Sequence, residues 1–184
     1  DLGCGRGEFL RIMKINGVVA QGVDLNRRMV EKCIEEGLDV TQQDCLDFLS
    51  KKDKNSINGI FMSQVVEHIS PKKIYDILKM AYQKLDRDGI LVIETVNPLT
   101  LGVFCYGFYI DPTHTVPVHP AMLRFMAEKL GYEVAPVEFI NEFPEEYKLK
   151  LSENMDEGVS EVVRKLNEQL YGAQDYYLVC RKGQ

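Results

Sequence analysis

Three glycines at alternate positions, Gly3, Gly5 and Gly7, stand near the start of this 184-residue chain. They belong to the run DLGCGRG at residues 1–7, which is typical of a strand that turns tightly into a helix. Because glycine has no Cβ, the backbone here can approach a ligand closely, and the first N–H groups of the helix can bind it. A carboxylate, Asp24, ends a strand-like run about twenty residues later, at the spacing of a ribose-binding group. The pattern predicts a cofactor that contains a nucleoside.

The glycine spacing argues against two common classes of nucleoside-containing ligand. A dinucleotide fingerprint has the form Gly-x-Gly-x-x-Gly, whereas Gly7 comes one residue too early for it. The sequence also lacks the Gly-x-x-x-x-Gly-Lys-Ser/Thr pattern of a triphosphate-binding loop. A nicotinamide-dependent oxidoreductase therefore remains only an alternative.

Three histidines are the candidates for acid–base chemistry: His68, His114 and His119. His68 follows a predicted strand, and the other two lie in a long segment after the next strand. Both places belong to the carboxyl edge of an open α/β sheet, where ligands bind. Histidine is well suited to accept a hydroxyl proton near neutral pH, so we predict His114 as the general base, then His68 and His119. The structural alternatives are a helix cap or a bond to Glu67 for His68, and a place before a helix for His119.

Alternating strands and helices position these residues at one edge. The hydrophobic patterns predict strands at 18–24, 38–43, 57–62, 90–94, 132–140 and 175–181, and helices at 8–16, 27–36, 70–85, 119–130 and 157–171. The alternation indicates an α/β fold with a doubly wound, mostly parallel sheet. Connections longer than about fifteen residues are usually functional, so we predict lid-like inserts at about residues 97–118 and 141–174.

Length and composition favour a single domain over residues 1–184. The hydrophobic fraction of 45% and the charged fraction of 27% are ordinary for a globular protein. A strand is expected before the glycine turn, so we expect the domain to be incomplete at its N-terminus. The net charge of −6 and the lack of a Lys/Arg run argue against a nucleic-acid partner, and no apolar stretch is long enough to span a bilayer.

The five cysteines are scattered and odd in number, and no Cys-x-x-Cys pair occurs. This pattern suggests neither a disulfide framework nor a thiolate zinc site. We therefore expect a cytoplasmic protein.

Four segments together resemble the class I S-adenosylmethionine-dependent methyltransferases. They are DLGCGRG at 1–7, GVDL at 22–25, QDC at 43–45 and SQVVEHI at 63–69. The last resembles the branch of ubiquinone-biosynthesis-type O-methyltransferases. The resemblance implies a Rossmann-like, seven-stranded sheet whose first strand is largely missing from this chain and whose last strand is antiparallel.

The resemblance also implies that S-adenosyl-L-methionine is the cofactor. The residues it assigns to cofactor binding are Asp1, Gly3, Cys4, Gly5, Asp24, Leu25, Asp44, Cys45, Gln64 and Val65. Asp24 would accept hydrogen bonds from both ribose hydroxyls, and Asp44 would accept one from the adenine amino group. A helix N-cap is the alternative role for Asp44, and it is compatible with ligand binding.

Residues 97–98, 111–120 and 166–177 resemble methyltransferases encoded with bacterial polysaccharide systems. This likeness implies O-methylation of a saccharide or of a glycan-linked hydroxyl or phosphate. We predict that Tyr106, Tyr109 and Asp111 bind the acceptor, since aromatic faces stack well on sugar rings. A quinone-type small-molecule methyltransferase and a non-catalytic cofactor-binding module are the alternatives.

We predict no metal site. Glu67 and His68 match part of a Glu-x-x-Glu-His pattern with which some relatives bind a divalent cation, but Gln64 replaces its first glutamate. The alternative ligand set is Asp111, His114 and His119.

Overall fold

The structure, a computed structural model, describes residues 1–152 and 154–183. Its strands are β1 (Gly22–Asp24), β2 (Val40–Gln42), β3 (Ile57–Ser63), β4 (Leu85–Val96), β5 (Tyr132–Val134), β6 (Glu138–Glu142) and β7 (Ala173–Lys182). Its helices are α1 (Glu8–Ile15), α2 (Arg27–Glu35), α3 (Cys45–Ser50), α4 (Pro71–Lys84), α5 (Leu101–Tyr106), α6 (Pro120–Lys129) and α7 (Glu157–Tyr171). Short 3₁₀ turns are formed by Val66–His68, Phe108–Ile110 and Glu145–Tyr147.

The strands form a mixed α/β arrangement. β1 pairs with β2 and β3 pairs with β4, both in parallel. β7 pairs antiparallel with β4, β5 and β6, as predicted for the last strand. Leu2 lies between the two parallel pairs: it bridges to Val23, and its N–H donates to the Phe61 carbonyl at 2.9 Å. The glycine turn therefore starts beside the carboxyl ends of β1 and β3.

The single strand predicted at residues 132–140 is wrong, because the structure divides it into β5 and β6. Val134 pairs with Cys180 and Glu138 pairs with Tyr177. The path from β5 to β6 thus advances four residues while β7 advances three. Pro136 lies in this bulge, and proline has no N–H to donate to a ladder. Within the irregular segment predicted at 97–118, the chain forms α5 and a 3₁₀ turn.

The main core lies between the sheet and helices α4 and α6. Its buried side chains include Ile60, Met62, Leu91, Ile93, Leu178 and Cys180 from the strands, and Ile74, Ile77, Leu78, Leu123 and Ala127 from the helices. Burying this apolar surface holds β3 and β4 rigid, so the residues at their carboxyl ends have a fixed backbone.

Polar side chains begin the helices that follow the strands. Asn26 caps α2, Asp44 caps α3 and Ser70 caps α4, each by accepting from a backbone N–H in the first turn. These caps fix where each connection leaves the sheet. No helix in the described ranges is long and apolar enough to cross a membrane.

Candidate active site

A cavity of about 910 Å³ lies at the carboxyl ends of β1 and β3. All ten residues predicted to bind the cofactor line it, namely Asp1, Gly3, Cys4, Gly5, Asp24, Leu25, Asp44, Cys45, Gln64 and Val65. The volume is within the range of small-molecule sites. Four separate segments of the sequence therefore converge on one cavity.

The glycine turn is shaped by positive φ angles and by close packing. Gly3 has φ +79° and Gly5 has φ +50°, in the left-handed region that favours glycine. A Cβ on Gly3 would come closer than 3.0 Å to Val65, at the end of β3. The turn thus depends on the absence of a side chain at Gly3.

Asp24 joins the turn to β1. One of its carboxylate oxygens accepts from the Gly5 N–H at 2.9 Å, and the other accepts from the Asn26 N–H at 2.7 Å. Each carboxylate oxygen has a second acceptor site, so both can still bind a hydroxyl group. Asp24 is therefore oriented by the backbone before any ligand arrives.

Asp44 caps a helix, as its structural alternative predicted, and adenine binding by it stays a prediction. Its Oδ1 accepts from the Leu46 N–H as the cap of α3, and its Oδ2 accepts from Lys73 Nζ at 2.6 Å. Partial burial alone would raise the pKa of Asp44, but the hydrogen bonds from Lys73 and Leu46 outweigh it and hold this pKa below its usual value. Asp44 therefore remains an acceptor at neutral pH.

Gln64 has a strained backbone at the edge of the cavity. Its φ is +55°, which is uncommon for a residue with a side chain. Its amide donates to Glu94 at 2.8 Å and to Asp175 at 3.0 Å, and its N–H donates to the Glu94 carbonyl. These bonds hold the strained turn, and the next residue, Val65, lines the cavity.

The two cavity cysteines carry weakly acidic thiols. Burial is the main cause, and it raises the pKa of Cys4 to about 12 and that of Cys45 to about 11. Cys105 is exposed on α5. The thiolate is the reactive form, so burial makes Cys4 and Cys45 poor nucleophiles at neutral pH.

We expect a thiol-specific disulfide reagent at pH 8 to label one cysteine rapidly, because Cys105 is accessible whereas the cavity thiols stay protonated. Absorbance of the released thiolate measures the rate. In Cys105→Ser the rapid phase should vanish. A rapid phase that persists in this variant would mean that a cavity thiol is reactive.

The structure brings two of the three histidines together and leaves His119 apart. Among the described residues His68 is the histidine that lines the cavity, together with Thr113. The ring of His114 lies against that of His68, with 4.6 Å between the ring centroids. His119 is exposed and caps α6 by accepting from the Ala121 N–H. The role of His119 as a base stays a prediction, while its structural alternative matches the observed cap.

Hydrogen bonds fix the tautomers of the two neighbouring rings. His114 Nδ1 lies 2.7 Å from the Phe108 carbonyl, which can only accept, so this nitrogen carries the proton. His68 Nδ1 lies 2.9 Å from the Thr113 hydroxyl, which donates its own proton to Asp111 at 2.6 Å. His68 Nδ1 is therefore also a donor. In the neutral form of each ring, this tautomer leaves the lone pair on Nε2.

The predicted acceptor residues lie outside the lining of this cavity. Tyr106 is exposed on α5 and faces Tyr147 edge-on at 5.2 Å between centroids. Tyr109 is 74% exposed, and Asp111 accepts from the Thr113 N–H and hydroxyl. Asp111 is thus linked by hydrogen bonds to Thr113 and His68, which line the cavity. Acceptor binding by Tyr106, Tyr109 and Asp111 stays a prediction.

Sequence reasoning missed several lining residues. Lys73 lies one turn into α4 and is aimed inward by Asp44, and Phe9 stacks on Phe61 at 4.2 Å between centroids. Thr113 enters from the segment after α5. The local signal for Lys73 was the predicted Ser70 cap. This cap fixes the start of α4 and places Lys73 in its first turn.

The comparisons with known proteins agree with this geometry. A family model described as "Methyltransferase domain" matches residues 1–146. The chain belongs to the methyltransferase-domain family. A S-adenosylmethionine-dependent methyltransferase from Archaeoglobus fulgidus is 38% identical to it, with a TM-score of 0.91 over 99% of this chain and 84% of that one. No protein of curated function matches the chain.

Less similar structures share the fold with this methyltransferase. Phosphoethanolamine N-methyltransferase 2 of Haemonchus contortus, solved with S-adenosyl-L-methionine, is 18% identical, with a TM-score of 0.72 over 100% of this chain and 48% of that one. A S-adenosylmethionine-dependent methyltransferase of Thermotoga maritima is 16% identical, with a TM-score of 0.68 over 99% and 80% of the chains.

S-adenosylmethionine is the cofactor of this methyltransferase, and the nicotinamide alternative is set aside. The cavity fits the group: Asp24 and Asp44 are oriented acceptors for hydroxyl and amino groups, and the glycine turn leaves room for a close approach. When bound, the cofactor supplies an activated methyl group, and the protein's part is to align an acceptor with it.

Proposed function

We propose that this methyltransferase acts on an oxygen, the hydroxyl or phosphate of a saccharide or a glycan-linked acceptor. One observation carries the proposal: His68 and Thr113 line the same cavity as the cofactor residues. The transfer forms a carbon–oxygen bond, breaks the methyl–sulfur bond and leaves the electron pair on sulfur. A hydroxyl acceptor must also lose its proton. We propose that Nε2 of His68, a residue that lines the cavity, accepts this proton.

His68 therefore replaces His114 as the first residue proposed to activate the acceptor. The ring of His114 packs against that of His68, with 4.6 Å between the centroids, and His114 is not among the residues that line the cavity. Thr113 and Asp111 hold Nδ1 of His68, as the third member of a catalytic triad orients its histidine.

The two inserts support a covered acceptor site. Phe143, after β6, packs with Val103 of α5 and with Phe108 in one buried apolar cluster. Tyr171, at the end of α7, lies against Phe143 with 5.8 Å between centroids. The inserts at residues 97–118 and 141–174 thus pack on each other, and we propose that they close over the acceptor as one unit.

Exposed aromatic rings of this unit favour a saccharide over a quinone. Tyr106 and Tyr109 present 51% and 74% of their surface to solvent. Exposed rings near a polar site suit the apolar faces of sugars, and Asp111 can accept from sugar hydroxyls. We further propose a single domain in the cytoplasm, in keeping with the free cysteines.

A transfer assay with methyl-labelled S-adenosylmethionine tests the proposal. Acceptors of three kinds are offered: saccharides and glycan-linked phosphates, catechol-type quinols, and primary amines. We expect label on an oxygen of the first kind, as alkali-stable methyl ethers for hydroxyl acceptors. His68→Gln should lower kcat at least about a hundredfold, as loss of a general acid–base group does, while the binding of S-adenosylhomocysteine is unchanged. Transfer to amines alone, or an unchanged kcat in His68→Gln, would contradict it.

A further inference from the structure

A cluster of three potential metal ligands lies beside the cofactor cavity, and cofactor binding does not explain it. The cluster consists of Glu67, His68 and His114. One nitrogen of each ring and one carboxylate oxygen of Glu67 all lie within 4.8 Å of one another. The set joins Glu67 and His68, the partial match noted in the sequence, to His114 from the alternative ligand set, while Gln64, Asp111 and His119 are not among its members.

Glu67 is the unusual member because its side chain is fully buried. Its Oε2 accepts from the Thr95 hydroxyl at 2.9 Å, whereas the buried Oε1 has no hydrogen-bond partner among the described residues. Leaving such an oxygen unpaired is costly. The Glu67 carbonyl accepts from the N–H and hydroxyl of Thr115, so its backbone is held in place. A cation held by the Glu67 carboxylate would give Oε1 a partner.

The two rings are prepared as ligands in the way that metal-binding histidines usually are. A ligating histidine donates its second ring N–H to a carbonyl, a carboxylate or another acceptor, which fixes the ring. His114 donates to the Phe108 carbonyl, and His68 donates to Thr113, which is backed by the Asp111 carboxylate. With Nδ1 of each ring used in this way, Nε2 is the nitrogen that a metal ion would take.

Direct pairing inside the cluster does not account for this arrangement. Over residues 1–152 and 154–183, no hydrogen bond joins Glu67 to either ring or joins His68 to His114. The groups lie close enough to share a bridging atom instead. Gln64 does not compete for this place, since its amide donates to Glu94 and Asp175.

We propose that Glu67, His68 and His114 bind one divalent transition-metal ion, such as Zn²⁺, Mn²⁺ or Fe²⁺, beside the cofactor cavity. Two imidazoles and one carboxylate suit these ions better than Mg²⁺ or Ca²⁺. Three protein ligands leave open positions for a further ligand.

This inference rests on the proposed function for its role in transfer. The ion would hold the acceptor oxygen and make its hydroxyl more acidic, and the proton would leave to solvent water. His68 then acts as a ligand, and its lone pair is used to bind the ion instead of accepting the proton directly. The bonds made and broken in the methyl transfer stay the same.

Binding of Co²⁺ alone, as a spectroscopic probe, tests the site without cofactor or acceptor. We expect chelator-treated protein to bind one Co²⁺ per chain, seen by calorimetry and by visible absorption bands of the bound ion. Glu67→Gln and His114→Gln should each weaken this binding at least about tenfold. His119→Asn is the matched control, since it removes an exposed imidazole outside the cluster and should leave the bands unchanged.

A folding control makes the Co²⁺ experiment decisive. S-adenosylhomocysteine binding shows which variants are folded, and if Glu67→Gln fails this check, His114→Gln decides. No Co²⁺ binding by the parent protein, or bands unaltered in the folded variants, would overturn the metal site. Oxygen methylation by chelated protein would likewise remove the ion from the reaction while leaving the proposed function intact.

Discussion

Replacing Asp24 with asparagine is expected to weaken the binding of S-adenosylhomocysteine at least about a hundredfold. The carboxylate accepts from the N–H groups of Gly5 and Asn26, and its other acceptor sites face the cavity. Hydrogen bonds to a charged group contribute about 1.5–3 kcal/mol each, and we predict that two ribose hydroxyls of the cofactor bind this carboxylate. The asparagine side chain would also place its NH₂ donor against N–H and hydroxyl groups that are themselves donors.

Calorimetric titration of the parent and of Asp24→Asn measures this difference. Asp47→Asn is the matched control: it removes one exposed carboxylate from α3 and should not change the affinity. Melting curves without ligand separate binding from folding. Equal affinities for the parent and Asp24→Asn would show that the ribose does not bind at Asp24.

Replacing Gly3 with alanine is expected to destabilise the protein by about 2–5 kcal/mol. A left-handed conformation costs a residue with a Cβ about 1–2 kcal/mol, and an overpacked contact adds about 1–3 kcal/mol. Both apply here, since Gly3 has φ +79° and its added Cβ would meet Val65 Cγ2. The free energy of unfolding from denaturant titration measures the loss.

Two further variants separate the two causes. Gly17 has a similar φ of +71° with open space around a built Cβ, so Gly17→Ala should lose only the conformational part. Adding Val65→Ala to Gly3→Ala should recover part of the loss by removing the clashing methyl groups. If Gly17→Ala costs as much as Gly3→Ala, or if the double variant is no more stable, the packing explanation fails.

The cofactor half of the site could be predicted because its signals are local. A glycine turn, an acidic residue at a strand end and an N-cap each occupy a few neighbouring residues, and the carboxyl ends of parallel strands meet at one edge. All ten predicted residues line the cavity for this reason. The antiparallel β7 follows from the same fold.

The acceptor half could not be predicted because it depends on contacts distant in sequence. Thr113 orients His68 from 45 residues away, and Glu67 is buried although most glutamates are exposed. Nothing in the sequence around His114 shows that its ring packs against that of His68. The bulge at Pro136 could not be predicted because apolar residues continue on both sides of the proline, so the hydrophobic pattern indicates one strand instead of two.

The position of bound S-adenosylhomocysteine tests the central claim most directly. In a crystal structure of the complex, we expect the ribose hydroxyls at Asp24, the adenine amino group near Asp44, and the sulfur beside the Gln64–Val65 backbone with its open side toward His68. A sulfur that faces away from His68, or a ligand bound outside this cavity, would contradict the account.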